Sequence, residues 1–200
     1  MPAVSGSPAT LVINELNSDW TGAVTIELYV VAGGHTGGFV LSNQGLYTYL
    51  LPDRTVATGD YLVIHDGPGG DAATSTNHVW SFNTGGVAYP GASDNLVLIG
   101  PAVGDTTTLA NSAKFAGAPV DYIAYGTGVN IKPVPTSQLG VTVPWNSSNQ
   151  ASLTGIISLN PNGQDNHSSA DWEVSGSGTT GFIPFTTGPN SIGADNTPGS

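Results

Sequence analysis

The chain has 200 residues, which is long enough for one domain with a sizeable hydrophobic core, and its composition does not call for a second core. Charged residues make up only 8% of the chain, and 3 basic residues against 14 acidic ones give a formal net charge of -11. Binding to a phosphate backbone requires basic side chains that replace its counterions, and this chain has very few. We therefore expect no nucleic-acid partner, and an anionic membrane is disfavoured as a partner for the same reason. The absence of cysteine excludes disulfides, thiolate metal sites and cysteine nucleophiles.

Turn-forming residues are abundant, and no segment shows the sustained 3.6-residue apolar period of an amphipathic helix. The chain contains 28 Gly and 14 Pro, together with many Thr, Ser and Asn residues between short apolar runs. Such a composition is typical of β proteins, in which turns follow one another closely. We therefore predict a series of strands with almost no helix.

The first predicted elements are two strands, LVINEL and TIELYV, and each contains one glutamate. Simple alternation places Glu15 on the same side of the first strand as Leu11 and Ile13, while Glu27 lies within the second apolar run. A carboxylate on a largely apolar face is costly unless it is hydrogen-bonded or bound to a cation. Glu15 and Glu27 are therefore predicted to be structural carboxylates with definite partners.

The later strands follow from the same apolar runs and the turn signals between them. They are a hairpin within 39–49 around the turn at 42–45, a strand at 61–64 buried on both faces, a pair of strands at 94–100 and 120–125, and a short strand within 151–159. We interpret 66–93 as a glycine-rich excursion held down by Trp80, and we expect Trp172 to be a buried anchor of the loop-rich end. The first ten residues are small and polar, which is typical of a flexible segment.

About eight strands without helix predict an all-β fold, and a two-sheet antiparallel β-sandwich is its simplest form, with a barrel as the other closure. We expect a single domain over residues 11–200, preceded by a flexible segment at 1–10. Extra loop length is predicted near 66–93, 126–150 and 174–195.

Several blocks of the sequence match one pattern in the right order. VINEL followed by IELYV, FVLSNQGLYTYLLP leading to ATGDYLVI, DNLVLIG with its loop to VDYIAYG, and the late GQDNHSSADWEV together resemble the lamin-tail domain, an immunoglobulin-like sandwich. The resemblance spans about residues 10–200. The chain departs from the family pattern at Gly38-Phe39, where a GW pair is usual, and at Thr154-Gly155, where the family usually has an arginine.

The resemblance implies a binding or assembly module without catalytic residues of its own. Lamin-tail domains in microbes occur in exported or surface proteins, and the sequons at Asn146 and Asn166 with the low Lys and Glu content also favour an extracellular or cell-surface location. We therefore predict a non-catalytic structural module that acts by protein-protein contact. Self-assembly could occur if the segment 1–10 or the tail adds a strand to the open sheet edge of another copy.

A calcium site is the alternative to hydrogen bonding as a partner for the acidic groups. The loops at 65–71 and 160–166 place oxygen ligands next to glycine, as a hard cation requires, although neither has the spacing of an EF-hand. Hydrogen bonds from backbone amides of a neighbouring loop are the commoner solution for buried carboxylates. The candidate calcium ligands are Asp66, Asp71, Asn160, Asn162 and Asp165.

Two other functions are alternatives to the interaction module. Trp20 and Trp145 stand in polar loops and, if exposed, would suit a calcium-dependent carbohydrate-binding or adhesion module. An accessory domain of a secreted hydrolase is the other alternative. An enzyme is not expected, because the chain has no G-x-S-x-G elbow and no H-E-x-x-H motif, and its four histidines are scattered.

Overall fold

The computed structural model of the chain describes residues 6–18, 24–42, 48–65, 77–84, 94–101, 118–125, 156–159, 163, 165, 172–175 and 184–185. In these ranges all regular secondary structure is β, as the sequence predicts, and none of it is helical. The strands are β1 (Thr10–Ser18), β2 (Val24–Ala32), β3 (Gly34–His35), β4 (Val40–Ser42), β5 (Thr48–Leu50), β6 (Thr55–Val56), β7 (Tyr61–His65), β8 (Val79–Asn83), β9 (Asp94–Ile99), β10 (Pro119–Tyr125), β11 (Ile156–Leu159), β12 (Trp172–Ser175) and β13 (Pro184–Phe185). Within the same ranges, no helix offers the length and apolarity that a membrane crossing would need.

The strands form two large sheets and one small one. A seven-stranded sheet has the order β13-β12-β11-β1-β2-β7-β8, a four-stranded sheet has the order β10-β9-β4-β5, and β3 pairs with β6. Three predicted antiparallel pairings are confirmed: β1 with β2, β4 with β5 across the expected hairpin, and β9 with β10.

The core forms where the apolar faces of the two large sheets meet. On β2 the alternate residues Ile26, Leu28 and Val30 are fully buried, and the first two lie opposite Ile64 and Leu62 of β7. One cluster of buried side chains extends from these strands to β4, β9 and β10 of the four-stranded sheet. Burial of this kind contributes about 25 cal/mol per Å² of apolar surface, so the shared core is the main force holding the sheets together.

The excursion after β7 returns to the sheet edge as β8, which is held there by apolar side chains. Trp80 and Phe82 of β8 are buried, and Trp172 at the start of β12 is buried as well, so the predicted anchoring roles of Trp80 and Trp172 are confirmed. The pairing of β8 with β7 is parallel, and so is that of β13 with β12, whereas the sequence suggested antiparallel sheets throughout. A parallel pair requires the connecting chain to cross back before pairing, and the residues between β7 and β8 provide that length.

The N-terminal segment is described from Gly6 onward, and there it pairs with β3. The amide of Ala9 donates to the carbonyl of His35 over 2.9 Å, and the amide of His35 donates to the carbonyl of Ser7 over 3.0 Å. Gly34 makes this approach possible, because a Cβ at that position would lie 2.6 Å from the Ala9 nitrogen. Residues 6–10 of the segment expected to be flexible are therefore docked by backbone hydrogen bonds.

Candidate functional site

A β-bulge in β1 sets the geometry of the acidic residues that the sequence singled out. Ile13 lies opposite Leu28 and Glu15 lies opposite Glu27, so Asn14 is the extra residue of β1. A bulge of this kind inserts one unpaired residue into one strand of an antiparallel pair. It shifts the phase of β1, and the simple alternation predicted above is wrong at this point: Ile13 faces the core, whereas Glu15 faces away from it.

The phase shift also explains how β1 keeps its apolar side chains on one face. Leu11 lies opposite Val30 and Leu16 lies opposite Ile26, both of which belong to the core face of β2. Without an extra residue, the side chains at positions 11 and 16 would point to opposite faces, because side chains alternate along a strand and these two positions differ by an odd number, five. The bulge lets both leucines reach the core.

Asn14 connects Glu27 to the chain segment that follows β11. Its Nδ2 donates to Glu27 Oε1 over 2.8 Å, and its Oδ1 accepts the amide of Gly163 over 3.1 Å. Both side chains are fully buried. The prediction that loop amides satisfy the carboxylate is therefore changed in one respect, since the loop amide binds Asn14 and Asn14 in turn binds Glu27.

Gly163 can take this place only because it has no side chain. Its φ of +66° is in the left-handed region, and a Cβ would lie 2.5 Å from Cδ1 of Tyr29. Gly163 therefore lies directly against Asn14 of β1 and Tyr29 of β2.

Glu15 is fully buried and lies in one row of residues across three strands. Its register partners are Glu27 on β2 and Ser158 on β11, and both of these are buried too. Like charges directly opposite each other on neighbouring strands are destabilising when both are ionised. The two predicted structural carboxylates are thus brought together as direct cross-strand neighbours.

Asp121 is a third acidic group of this region, and sequence reasoning missed it. Its side chain is 1% exposed, and its two oxygens accept the amides of Ile13 and Tyr122, each over 2.5 Å. Asp121 belongs to β10, so its bond to Ile13 of β1 joins the two large sheets. The only signal in the sequence was an aspartate inside the otherwise apolar strand VDYIAY.

Asp165 reaches the same place from the segment after β11. It contacts Asp121, and burial together with the neighbouring Asp165 charge raises the pKa of Asp121 well above its ordinary value, although the two backbone amides act in the opposite direction. The candidate calcium ligand Asp165 is thus placed beside another carboxyl group. Among the described residues, however, no group of three or more His, Cys, Asp or Glu side chains could hold a metal ion.

The remaining predicted site residues lie outside the residues that the structure describes. These are the calcium-ligand candidates Asp66, Asp71, Asn160 and Asn162 and the aromatic candidates Trp20 and Trp145. The calcium and carbohydrate hypotheses therefore stay predictions for those positions.

A second group of buried polar contacts is centred on Asp60, the residue before β7, and the sequence analysis did not identify it either. Asp60 Oδ2 accepts the Ala57 amide over 2.9 Å and the Trp80 indole N–H over 3.0 Å, and Oδ1 lies 2.9 Å from Nδ1 of His78. Burial alone would raise the pKa of Asp60, but these hydrogen bonds and the His78 charge outweigh burial and lower it. Asp60 therefore ties the turn before β7 to β8.

Comparison with known proteins identified no matching family model and no matching curated protein. The resemblance to lamin-tail domains accordingly rests on the sequence blocks quoted above. The structure adds one further observation, which is that the regular secondary structure of the described residues is all β.

Proposed function

We propose that this protein is a non-catalytic interaction module of the extracellular or cell-surface type, and that it associates with further copies of itself by pairing exposed sheet edges. The observation that carries the proposal is the edge strand β5. Within the described residues, β5 pairs only with β4, and its Leu50 is 38% exposed. An edge strand with an exposed apolar residue and no charge is suited to the addition of another strand.

The other sheet edges of the described chain are less suited to pairing. β10 begins with Pro119 and β13 begins with Pro184, and proline offers no N–H to an incoming strand. The edge strand β8 keeps its large side chains, Trp80 and Phe82, in the core. Among these edges, β5 alone combines exposed apolar surface with a strand free of proline.

The chemistry of the described acidic residues agrees with a non-catalytic role. Glu27, Asp60 and Asp121 each accept hydrogen bonds that connect one strand or turn to another. The resemblance to lamin-tail domains supports an interaction module, and the Thr, Ser, Gly and Asn-rich composition with two sequons supports an extracellular setting.

The proposal also revises which segment is expected to add a strand. The sequence suggested the first ten residues, but Ser7 and Ala9 already use both main-chain hydrogen-bonding groups of His35 in the same chain. β5 is therefore the better candidate for contact between copies.

Sedimentation velocity over a wide range of protein concentration tests the proposal. We expect reversible self-association of the wild type, weakened about tenfold or more by Leu50→Lys, because a charge would be placed in the new interface (~1.4 kcal/mol). The matched control is Val31→Lys, since Val31 is 39% exposed but belongs to β2, which has a neighbour on each side. A wild type that stays monomeric at every concentration, or an equal effect of both variants, would contradict the proposal.

A further inference from the structure

The hydrogen bonds between β5 and β4 determine which main-chain groups of β5 point to the open edge of the sheet. The amide of Leu51, just after β5, donates to the carbonyl of Phe39 over 3.0 Å. In an antiparallel pair, hydrogen-bonded and non-hydrogen-bonded residue pairs alternate, so Tyr49 also directs its main-chain groups to β4. Thr48 and Leu50 lie between these positions, and their main-chain groups therefore point away from β4.

The outer side of β5 is open in the part of the chain that the structure describes. β5 is the last strand of its sheet, and no main-chain hydrogen bond among the described residues reaches Leu50 from that side. The open row ends at Pro52, which has no N–H and whose carbonyl accepts the Thr36 hydroxyl over 2.6 Å. An incoming strand can therefore pair with Thr48 and Leu50, but it cannot continue the pairing at Pro52.

This short pattern is complementary to itself. When two copies of β5 run antiparallel, one register places Thr48 of each copy opposite Leu50 of the other, and opposite residues can then exchange both of their main-chain hydrogen bonds. Tyr49 lies opposite Tyr49 of the second copy, at the centre of the contact. A register shifted toward the end of the strand would place Thr48 opposite Pro52, and hydrogen bonds would be lost there.

We infer, on the basis of the self-association proposed above, that two copies pair their β5 strands in this antiparallel register about a two-fold axis at Tyr49, and that assembly stops at the dimer. A two-fold contact uses the same surface on both copies, so it occupies both β5 edges. The two four-stranded sheets become one continuous sheet. Its outer strands are the two copies of β10, which begins with Pro119 and is poorly suited to further pairing.

Side chains on both faces of β5 add contacts to this pairing. Tyr49 is partly buried against the core cluster, and Cα atoms of a non-hydrogen-bonded pair are about 4.5 Å apart, so the two tyrosines would be direct neighbours. Leu50 points to the other face and is 38% exposed. The two copies of Leu50 are diagonal neighbours about 7–8 Å apart, a distance that long side chains can bridge. The dimer therefore covers apolar surface that a single copy exposes.

The distribution of charge makes this edge suitable for a second copy of the same chain. A net charge of -11 disfavours contact between copies in general. Residues 36–52, however, contain no Asp, Glu, Lys, Arg or His, and both β4 and β5 lie within this stretch. Two copies can therefore pair through β5 without placing like charges opposite each other on the paired strands.

Disulfide trapping tests the register, because the chain has no cysteine of its own. Tyr49→Cys would place two thiols on positions about 4.5 Å apart between Cα atoms, within the range that a disulfide spans. We expect this variant to form a covalent dimer about tenfold or more faster than the control Val31→Cys, because pairing raises the effective concentration of the thiols. Val31 is 39% exposed but belongs to the inner strand β2. Leu50→Cys should react more slowly than Tyr49→Cys, because diagonal positions are farther apart.

Hydrogen exchange of the wild type gives a second readout that does not depend on the folding of a variant. The amides of Thr48 and Leu50 should become protected as the protein concentration rises. The Tyr49 amide points to β4 and should be protected at every concentration. Sedimentation velocity should show monomer and dimer without larger species.

The possible outcomes distinguish this inference from the proposed function. Faster cross-linking of Leu50→Cys than of Tyr49→Cys, or growth of the assembly beyond a dimer, would overturn the register or the closure while leaving self-association through β5 in place. A wild type that remains monomeric, or a dimer in which the Thr48 and Leu50 amides stay unprotected, would overturn both proposals.

Discussion

Asp60 and Asp121 are both buried aspartates, but the pKa values of their carboxyl groups are shifted in opposite directions. Asp60 accepts two N–H groups and faces His78, so its pKa is lowered in spite of the burial. Asp121 also accepts two N–H groups but faces Asp165, and its pKa is raised. Burial is the largest single cause at both residues and raises both pKa values; at Asp60 the hydrogen bonds and His78 together outweigh it, whereas at Asp121 the Asp165 charge adds to it.

The bonds of Asp60 predict a stability effect at this single residue. Asp60→Asn should lower the free energy of unfolding by about 2 kcal/mol at neutral pH, because hydrogen bonds to a charged acceptor become bonds to a neutral amide. Urea denaturation measures the difference. The pKa of Asp60 is lowered in the folded state, so its contribution is present above 3.8 and is lost as pH falls through the folded value.

A surface aspartate provides the comparison for this substitution. Asp53 is exposed and its carboxylate lies 3.3 Å from Nδ1 of His35. Exposed ion pairs contribute about 0–1 kcal/mol, so Asp53→Asn should have a smaller effect than Asp60→Asn. Equal effects of the two substitutions would mean that the Trp80 and Ala57 bonds add nothing to stability.

At the scale of single elements, close backbone contact explains how very short strands persist. β3 has only two residues, but it is flanked by β6 on one side and by the segment with Ser7 and Ala9 on the other. Ala9 is buried in the core cluster, so the docked segment contributes apolar burial as well as hydrogen bonds. The contact depends on the absence of a side chain at position 34.

Gly34→Ala is expected to undock the N-terminal segment. The added methyl group would lie within 2.7 Å of three backbone atoms, in Ser7, Pro8 and Ala9, and backbone atoms cannot turn aside as a flexible side chain can. We expect a loss of about 1–3 kcal/mol in the free energy of unfolding. Hydrogen exchange at the Ala9 and His35 amides should accelerate in parallel.

A double-mutant cycle separates this contact from other effects of the alanine. In a chain that lacks residues 1–9, Gly34→Ala has no segment to displace and should be close to neutral. If the alanine destabilises the shortened chain as much as the full chain, the close approach to Ser7–Ala9 is not the reason for the glycine.

At the scale of the whole molecule, local patterns predicted the architecture better than they predicted the polar contacts. Apolar runs and turn residues were enough for the all-β class, for the β1–β2, β4–β5 and β9–β10 pairings and for the buried roles of Trp80 and Trp172. The prediction succeeded there because neighbouring strands are also close in sequence.

The polar contacts of the candidate site depend on residues far apart in the chain. Asp121 and Ile13 are separated by 108 positions, and Asn14 and Gly163 by 149. The bulge at Asn14 arises from pairing with β2 and packing against the other sheet, so the alternation within LVINEL could not reveal it. Glu15 and Glu27 were recognised because a carboxylate in an apolar strand is locally conspicuous, and Asp121 has the same signal in VDYIAY.

The two buried aspartate clusters together predict where the whole protein is most stable. Loss of the Asp60 contribution lowers stability at acidic pH, and ionisation of Asp121 lowers it at higher pH, so the maximum should lie between these two limits. Melting temperatures across the pH range measure this profile. Asp165→Asn should reduce only the fall in melting temperature at higher pH, and Asp60→Asn should reduce only the fall at acidic pH. The two effects are separate because the two clusters share none of their hydrogen-bonding partners. The double variant should show both changes added together, and a clear departure from additivity would mean that the clusters are coupled through the common core.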